Sequence, residues 1–518
     1  MKDDFKLNSS LTTKLASGQC LDDQRSLLIQ FKNSIIFNET LSVKLVTWNQ
    51  SEDCRHVISL ELDQESISGG IENSTSLLGF QYLEKLNLAY YRLHDIQIPK
   101  GIYNLANLTY LNLSNAGFVG QIPIEVSRMT RLVTLDLSIF FFDLYSSPTW
   151  PMKLENPNLK TLVQNLKELR ELHLDGVSIS APGSEWCQAL SSSLPNLSSL
   201  SLSNCFLSGP LDSSLSQLQN LSFLSLDENN LSTTIPYSFA NFPKLTTLSM
   251  FSCSLQGFFP EKIFQLPTLQ NLYLGNNNLL NGNLPQFHWG GSLREIILSY
   301  TNFSGSLPDS IGNLGMLSWI DLMDCKFTGL LPLFNMAKKL THIDLSSNGL
   351  TGSLSSMHFE GLNDLEHIDL SYNSLNGSIP PALFELPSLQ ELQLINNQFD
   401  IHNNQLQGDL PICPSSALYV DYCGKRREAG SAEEGGSSAG RPGTRSGRPG
   451  AQFLPHMAPR RPKCYLQAGT WRLGAPIVYL YPVLCLLSLT QDLGHFLERK
   501  KRENLVRIYK IEAYSSWV

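Results

Sequence analysis

Few groups in this chain have the types and spacings that chemistry needs. Asp136, Asp321, Asp344 and Asp369 each stand directly after a Leu or Ile at the same point of a recurring phrase. Two carboxylates do acid–base work when they share a site that pushes their pKa values apart. A slot filled once per phrase instead makes the recurrence architectural. His173 and Asp175 are two residues apart, which puts both on one face of a strand. A base and its orienter can be built that way, but with no nucleophile converging on them they read as solvated surface. Cys205, Cys253 and Cys325 also return at one slot, where a thiol serves as a small buried group. They lie in separate repeats, too far apart to bond one another; Cys187, and Cys413 with Cys423, are left to pair or stay free. The sequence has no Gly-rich phosphate loop, no His-Glu-x-x-His, no kinase Asp-Phe-Gly and no metal-ligand spacing. The expectation is a protein that is not an enzyme and has no cofactor or metal.

The elements that position these groups follow from periodicity. Between residues 218 and 236 apolar side chains sit at Leu218, Leu221, Leu224, Leu226, Leu231 and Ile235. The equivalent of Leu224 returns at Leu248, Leu272, Ile296 and Ile320, in steps of 24 residues. This is the signature of a leucine-rich repeat, whose coils are too small to bury an apolar face alone and must stack. The predicted fold class is α/β, a leucine-rich-repeat solenoid with a parallel sheet on its concave face. Strand centres are expected at Leu60, Leu86, Leu111, Leu135, Leu172, Leu200, Leu224, Leu248, Leu272, Ile296, Ile320, Ile343, Ile368 and Leu392. At about 4.8 Å per strand that is a sheet on the order of 65 Å long. Past each strand one slot holds Asn229, Asn277, Asn348, Asn373 or Asn397, or the three cysteines. A buried amide there can bond the backbone of adjoining turns. Several repeats then read Phe118-x-Gly120-x-Ile122-Pro123, Phe303-x-Gly305-x-Leu307-Pro308 or Leu375-x-Gly377-x-Ile379-Pro380. Glycine there permits positive φ, and proline fixes φ where no donor is needed. The interval from Leu135 to Leu172 is 37 residues and contains an aromatic run from Phe140 to Trp150. It reads either as a loop excursion, which often sits on a binding face, or as an irregular coil covering its own core.

Charge and composition divide the chain. Residues 424–518 carry 16 Lys+Arg against 7 Asp+Glu, leaving residues 1–423 with a net charge of −17. Such an acidic repeat region argues against nucleic acid as a partner. Residues 1–19 hold no run fit for the apolar core of an export signal, and the signal is expected to be missing from this sequence. Residues 20–56 form an incomplete N-terminal cap, with a helix from Asp22 burying Leu27, Leu28, Phe31 and Ile35. The repeats run from 57 to 423, with a stumble at 400–403. Residues 424–472 are a Gly/Arg/Pro-rich linker expected to be disordered, and 491–518 a basic tail. Between them, 473–490 is a candidate transmembrane segment, short and interrupted by Pro476 and Pro482.

The Gly-x-Ile-Pro element resembles the plant extracellular class of leucine-rich repeats, in which it adds a second short strand. Cys20 to Leu28, followed by Leu45 to Cys54, resembles the cap of plant receptor-like proteins, most closely the tomato Verticillium wilt resistance receptor type. That family continues with a Cys-x-x-Trp segment that this chain lacks, and the resemblance leaves Cys20 with Cys54 as the candidate disulfide. The resemblance implies a kinase-less cell-surface receptor in plant defence. Its expected ligand is a pathogen-derived peptide or protein, and it would signal through leucine-rich-repeat receptor kinases. Its expected location is the plasma membrane, as a single-pass protein with extracellular repeats. Competing readings are a secreted binder or inhibitor of pathogen cell-wall enzymes, and a truncated product without receptor function. Eleven Asn-x-Ser/Thr sequons fit export; the glycosylation sites expected among them are Asn107, Asn112, Asn196, Asn220, Asn230, Asn302 and Asn376.

Ligand contacts on this fold come from residues between the strand leucines. Those slots hold Phe223, Phe251, Tyr273, Ile297, Tyr300, Trp319 and Met323. Large apolar groups on an exposed sheet mark an interaction surface. Asp227, Glu228, Asp321 and Asp324 would add a preference for a basic partner.

Overall fold

The computed structural model describes residues 22–42, 44–47, 57–63, 65–71, 75–90, 96–139, 152–399 and 419–421. Among them, fifteen three-residue strands form one parallel sheet in strict sequence order, from Ser59–Glu61 to Tyr419–Asp421. Every expected centre falls in register: Leu60 opposes Leu86, Leu224 opposes Leu248, and Ile368 opposes Leu392. A fifteenth strand, centred on Val420, extends the fourteen read from the sequence. The central leucines and isoleucines point inward and are fully buried, so each coil's apolar face is closed by its neighbours.

A second parallel sheet of seven strands lines the next edge, from Gln256–Phe258 through Thr301–Ser306 to Gln398–Phe399. It is built from the Gly-x-Ile/Leu-Pro element. Gly305 and Gly377 sit at φ 90° and 75°, a region that a side chain would strain. Pro123, Pro236, Pro260, Pro308 and Pro380 each start a 3-10 turn, accepting through the carbonyl from the N–H three residues on, as Pro308 does from Ile311 at 3.0 Å. Before Gln256 this edge is reduced to Gly120–Gln121 beside Met152–Lys153 and to single bridges such as Ser208 with Asn230.

The long interval closes without disturbing the main sheet, since Leu135 opposes Leu172 directly. Part of its surplus is the helix Leu159–Val163, capped by Asn158 Oδ1 accepting from the Thr161 N–H at 3.0 Å. The aromatic run to Trp150 lies outside the described residues, as do Cys20, Cys54, Trp48 and everything after Asp421, including the linker, the 473–490 segment and the basic tail. No helix among the described residues is long and apolar enough to cross a membrane.

Buried amides join the coils. Asn229 Oδ1 accepts from the N–H groups of Cys205 (3.0 Å) and Leu207 (2.9 Å) in the preceding coil, and its Nδ2 donates to the carbonyls of Leu202 and Leu226. Asn277, Asn348, Asn373 and Asn397 bond their neighbours similarly. Where the slot holds Cys205, Cys253 or Cys325, the thiol donates to the carbonyl that the amide would have reached, that of Leu174, Leu226 or Leu298. Thr301, in the same slot, donates its hydroxyl instead to the Leu298 carbonyl of its own coil. Along with Cys187 these cysteines are buried and unbridged, and burial pushes the Cys187 thiol up to about 12.

At the start of the described chain, the helix Asp22–Ser34 puts Phe31 edge-on against Phe80, with ring centroids 6.3 Å apart. Leu27 and Leu28 pack on the same core and Ile35 is buried just past the helix, as the pattern required. One buried carboxylate ties this cap to the first coils. Glu65 accepts from the Ser42 hydroxyl and from the N–H groups of Lys44 (3.0 Å) and Leu45 (3.2 Å). Replacing Glu65 with alanine strands two N–H groups, at about 1–3 kcal/mol each. Hydrogen exchange at Lys44 and Leu45 should accelerate at least tenfold while Leu272 stays protected; unchanged exchange would mean that the carboxylate does not hold the cap.

Candidate functional site: the outward face of the main sheet

In each three-residue strand the first and third side chains leave the core, so the outer face carries two columns. The first runs Phe223, Thr247, Asn271, Glu295, Trp319, His342, His367, Glu391; the third-position column runs Ser225, Ser249, Tyr273, Ile297, Asp321, Asp344, Asp369, Gln393. The seven apolar positions expected to meet a ligand do not form one patch. Phe223 is separated from Trp319 by three polar residues of the same column. Phe251 and Met323 lie one slot beyond the strands, three coils apart, with Gly275 and Ser299 between them; Gly275 leaves room for the Phe251 ring, which a Cβ there would meet at 2.8 Å. Tyr300 sits half-buried in the following turn with φ 57°. Ile297 is only 5% exposed, so it supports the face rather than presenting surface.

What the fold does bring together is Tyr273, Glu295 and Trp319. Tyr273 and Glu295 lie on adjacent strands, and the phenol donates to Glu295 Oε2 at 2.5 Å. Burial, with the Glu295 charge next, pushes the Tyr273 pKa up. Trp319 directly opposes Glu295 on one side and His342 on the other. Its ring stacks on His342 with centroids 3.9 Å apart and 4° between the planes. His342 stacks in turn on His367 at 4.4 Å, and His367 Nδ1 lies 3.2 Å from Glu391 Oε2. Four adjacent strands thus carry Trp-His-His-Glu in a row. Burial, with His367 alongside, drives the His342 pKa down to about 4, whereas the hydrogen bond from His367 pulls Glu391 down. The histidines were not singled out in the sequence, although the identical triplets His342-Ile-Asp344 and His367-Ile-Asp369, in register with Trp319, were there to be read.

The aspartates are structural, as their spacing suggested. Oδ1 of Asp136, Asp321, Asp344 and Asp369 accepts from the N–H two residues on, at 2.8 to 3.0 Å. Asp227 is similarly occupied, accepting from Ser249 Oγ and the Phe251 N–H. Burial raises the carboxyls of Asp227 and Asp321 to about 6. A basic partner would therefore meet the exposed Glu228 and Asp324 rather than these two. His173 and Asp175 do not converge on a site: His173 Nε2 meets Ser199 Oγ at 2.9 Å, while Asp175 accepts from Ser201 and the Ser203 N–H.

The repeat sequons differ in exposure. Asn196, Asn230 and Asn376 are exposed; Asn107, Asn112, Asn220 and Asn302 are half-buried. Asn112 stands on the sheet face itself, where a glycan would cover the neighbouring strands. Asn107 and Asn220 donate Nδ2 to carbonyls of the preceding coil, Gln81 at 2.7 Å and Pro195 at 3.3 Å.

Models of the leucine-rich repeat match residues 195–255, 292–314 and 338–399. Receptor-like protein 6 of Arabidopsis thaliana is 32% identical over 335 residues, covering 60% of this chain and 28% of that protein. Receptor-like protein EIX2 of Solanum lycopersicum is 30% identical over 380 residues, covering 67% of this chain and 33% of its own. The chain thus spans about a third or less of the length of the relatives it matches. Among solved structures, the ectodomain of the Arabidopsis receptor kinase HAESA, in complex with an IDA peptide hormone, superposes with a TM-score of 0.57 at 23% identity, covering 73% of this chain and 70% of that one. The fold is shared with it. Over its described coils the chain is a leucine-rich-repeat solenoid, similar in sequence to plant receptor-like proteins.

Proposed function

We propose that this chain forms ligand-binding coils of a plant cell-surface receptor-like protein without a kinase of its own. Its ligand would be a pathogen-derived peptide or protein, and signalling would pass to leucine-rich-repeat receptor kinases. The observation that carries this is the half-buried Tyr273–Glu295–Trp319 cluster on the outward face of the main sheet. An aromatic pair held rigid by a carboxylate and an imidazole loses little entropy on binding, which is what makes such residues anchors. The receptor-like relatives support the cell-surface setting, and HAESA provides an example of a peptide bound to this fold. The Verticillium-resistance type is one member of this class, and the defence role belongs to the same proposal.

The experiment immobilises the full chain, expressed and secreted behind an added export signal, and challenges it with fractionated microbial culture filtrate. Wild type should retain a protease-sensitive component. Trp319→Ala and Tyr273→Ala should each weaken that retention at least tenfold, the effect expected of anchor residues, with secreted yield unchanged. Equal retention by wild type and both variants would place the contact elsewhere.

A further inference from the structure

The Trp-His-His-Glu row contains a contradiction that a bound cation resolves. His342 Nδ1 lies 2.8 Å from Thr341 Oγ1, whose own hydroxyl proton is donated to the Ser318 carbonyl at 3.0 Å. Thr341 therefore accepts, and the proton sits on His342 Nδ1. His367 Nδ1 faces a carboxylate oxygen, Glu391 Oε2, at 3.2 Å, so it too carries the proton. In both rings Nε2 is left as a bare lone pair. Both Nε2 atoms are buried without a hydrogen-bond partner, in residues only 6% and 7% exposed. Two unpaired acceptors on stacked neighbours, with the Glu366 carboxylate beside them, concentrate lone pairs where no donor reaches. Buried polar atoms are rarely left this way without a reason.

We propose that His342 Nε2, His367 Nε2 and the Glu366 carboxylate bind a divalent transition-metal ion of the zinc class. Their donor atoms lie within 4.8 Å of one another. Two imidazoles and one carboxylate are a ligand set that zinc accepts at about 2.0–2.2 Å, with a fourth position left for water or a partner's donor. The Glu366 side chain is half-exposed and 4.0 Å from His367 Nε2, and the imidazoles already splay by 20°. Closing the set needs the Glu366 side chain to swing in and the two rings to turn out of their near-parallel stack until both Nε2 lone pairs converge. The outer contacts match what metal-bound histidines require, because each Nδ1–H is donated to an oxygen that fixes the tautomer. Thr341 does this for one ring and Glu391 for the other. The ion would tie the His342–Asp344 and His367–Asp369 strands through their outer faces, beside the Trp319–Asp321 strand. This inference does not depend on the receptor reading, since a metal site can exist whatever the face binds.

The test uses the full chain, purified without a polyhistidine tag and stripped with EDTA. Titration with Zn2+ alone at pH 7.5 should show one saturable site at micromolar concentrations. Glu366→Gln, which leaves the buried rings in place, should weaken it at least tenfold, and His342→Gln with His367→Gln should remove it. Cu2+ should quench part of the tryptophan fluorescence, and Trp319→Phe should lose that part while still binding Zn2+. Absence of saturable binding in wild type overturns the proposal. So does binding that survives unchanged in both Glu366→Gln and the double histidine variant, which would place the ion elsewhere in the chain.

Discussion

Asn277→Ala is expected to destabilise the repeats by about 4 kcal/mol, one of the larger losses a single substitution produces. The side chain accepts from the N–H groups of Cys253 (3.0 Å) and Leu255 (2.9 Å), and donates to the carbonyls of Met250, Leu274 and Gly275. Alanine leaves these backbone groups buried in a site too tightly enclosed for water to replace them all. A solenoid is held by nearest-neighbour interfaces, so the damage should localise to the junction of two coils. Urea unfolding should show it as a lower midpoint, and hydrogen exchange as lost protection from Cys253 to Leu280. Asn277→Cys is the discriminating control. At the equivalent slot, Cys253 Sγ already donates to the Leu226 carbonyl at 3.0 Å, so cysteine should recover part of the loss. A loss below about 1 kcal/mol for alanine would show that the amide is dispensable.

Asp321→Asn should act in the opposite direction at neutral pH. Burial first, and then the Asp369 charge, raise the Asp321 carboxyl to about 6, against the pull of the Met323 N–H and Ser299 Oγ. An unfolded aspartate titrates near 3.9. Between those values the folded chain binds the extra proton, so the stability from this group is complete below about pH 4 and is lost as pH rises through 6. Asp344 and Asp369 shift the same way, each through burial first. His342 opposes them: its pKa falls to about 4, so it costs stability as pH drops from 6.5 towards 4. The amide keeps an acceptor for the Met323 N–H and removes the charge. At pH 7.5 the variant should gain up to about 3 kcal/mol, the ceiling set by two pKa units, and the gain should fall to about 1 kcal/mol by pH 4.5 and vanish near pH 3. Melting curves across that range decide it; a difference independent of pH would mean that Asp321 titrates normally.

The scaffold was legible because each of its requirements is periodic. Leucine spacing located the strand centres, and the buried Asn and Cys slots and the glycines at positive φ followed from the same phrase. The site was less so, for a physical reason. An outward slot read one coil at a time reveals a residue's type, but contact across coils depends on which column it occupies. Phe223 and Trp319 share a column yet stand four strands apart, whereas Tyr273 and Glu295 come from different columns and touch. Ile297 looked exposed by alternation and is covered. His342 and His367 are each an ordinary strand histidine in the sequence; only their stacking makes them a pair.

The second sheet also has a mechanical side. From Gln256 to Phe399 each coil is fastened to the next along two edges, whereas between Tyr110 and Leu255 the second edge is reduced to short pairs and single bridges. Under a twisting or pulling load the earlier coils are the compliant spring and the later ones the stiff plate. The Tyr273, Trp319 and paired-histidine surface lies wholly on the plate. A partner gripping it would feel an unyielding surface, while any strain it exerts would be taken up in the coils before Gln256.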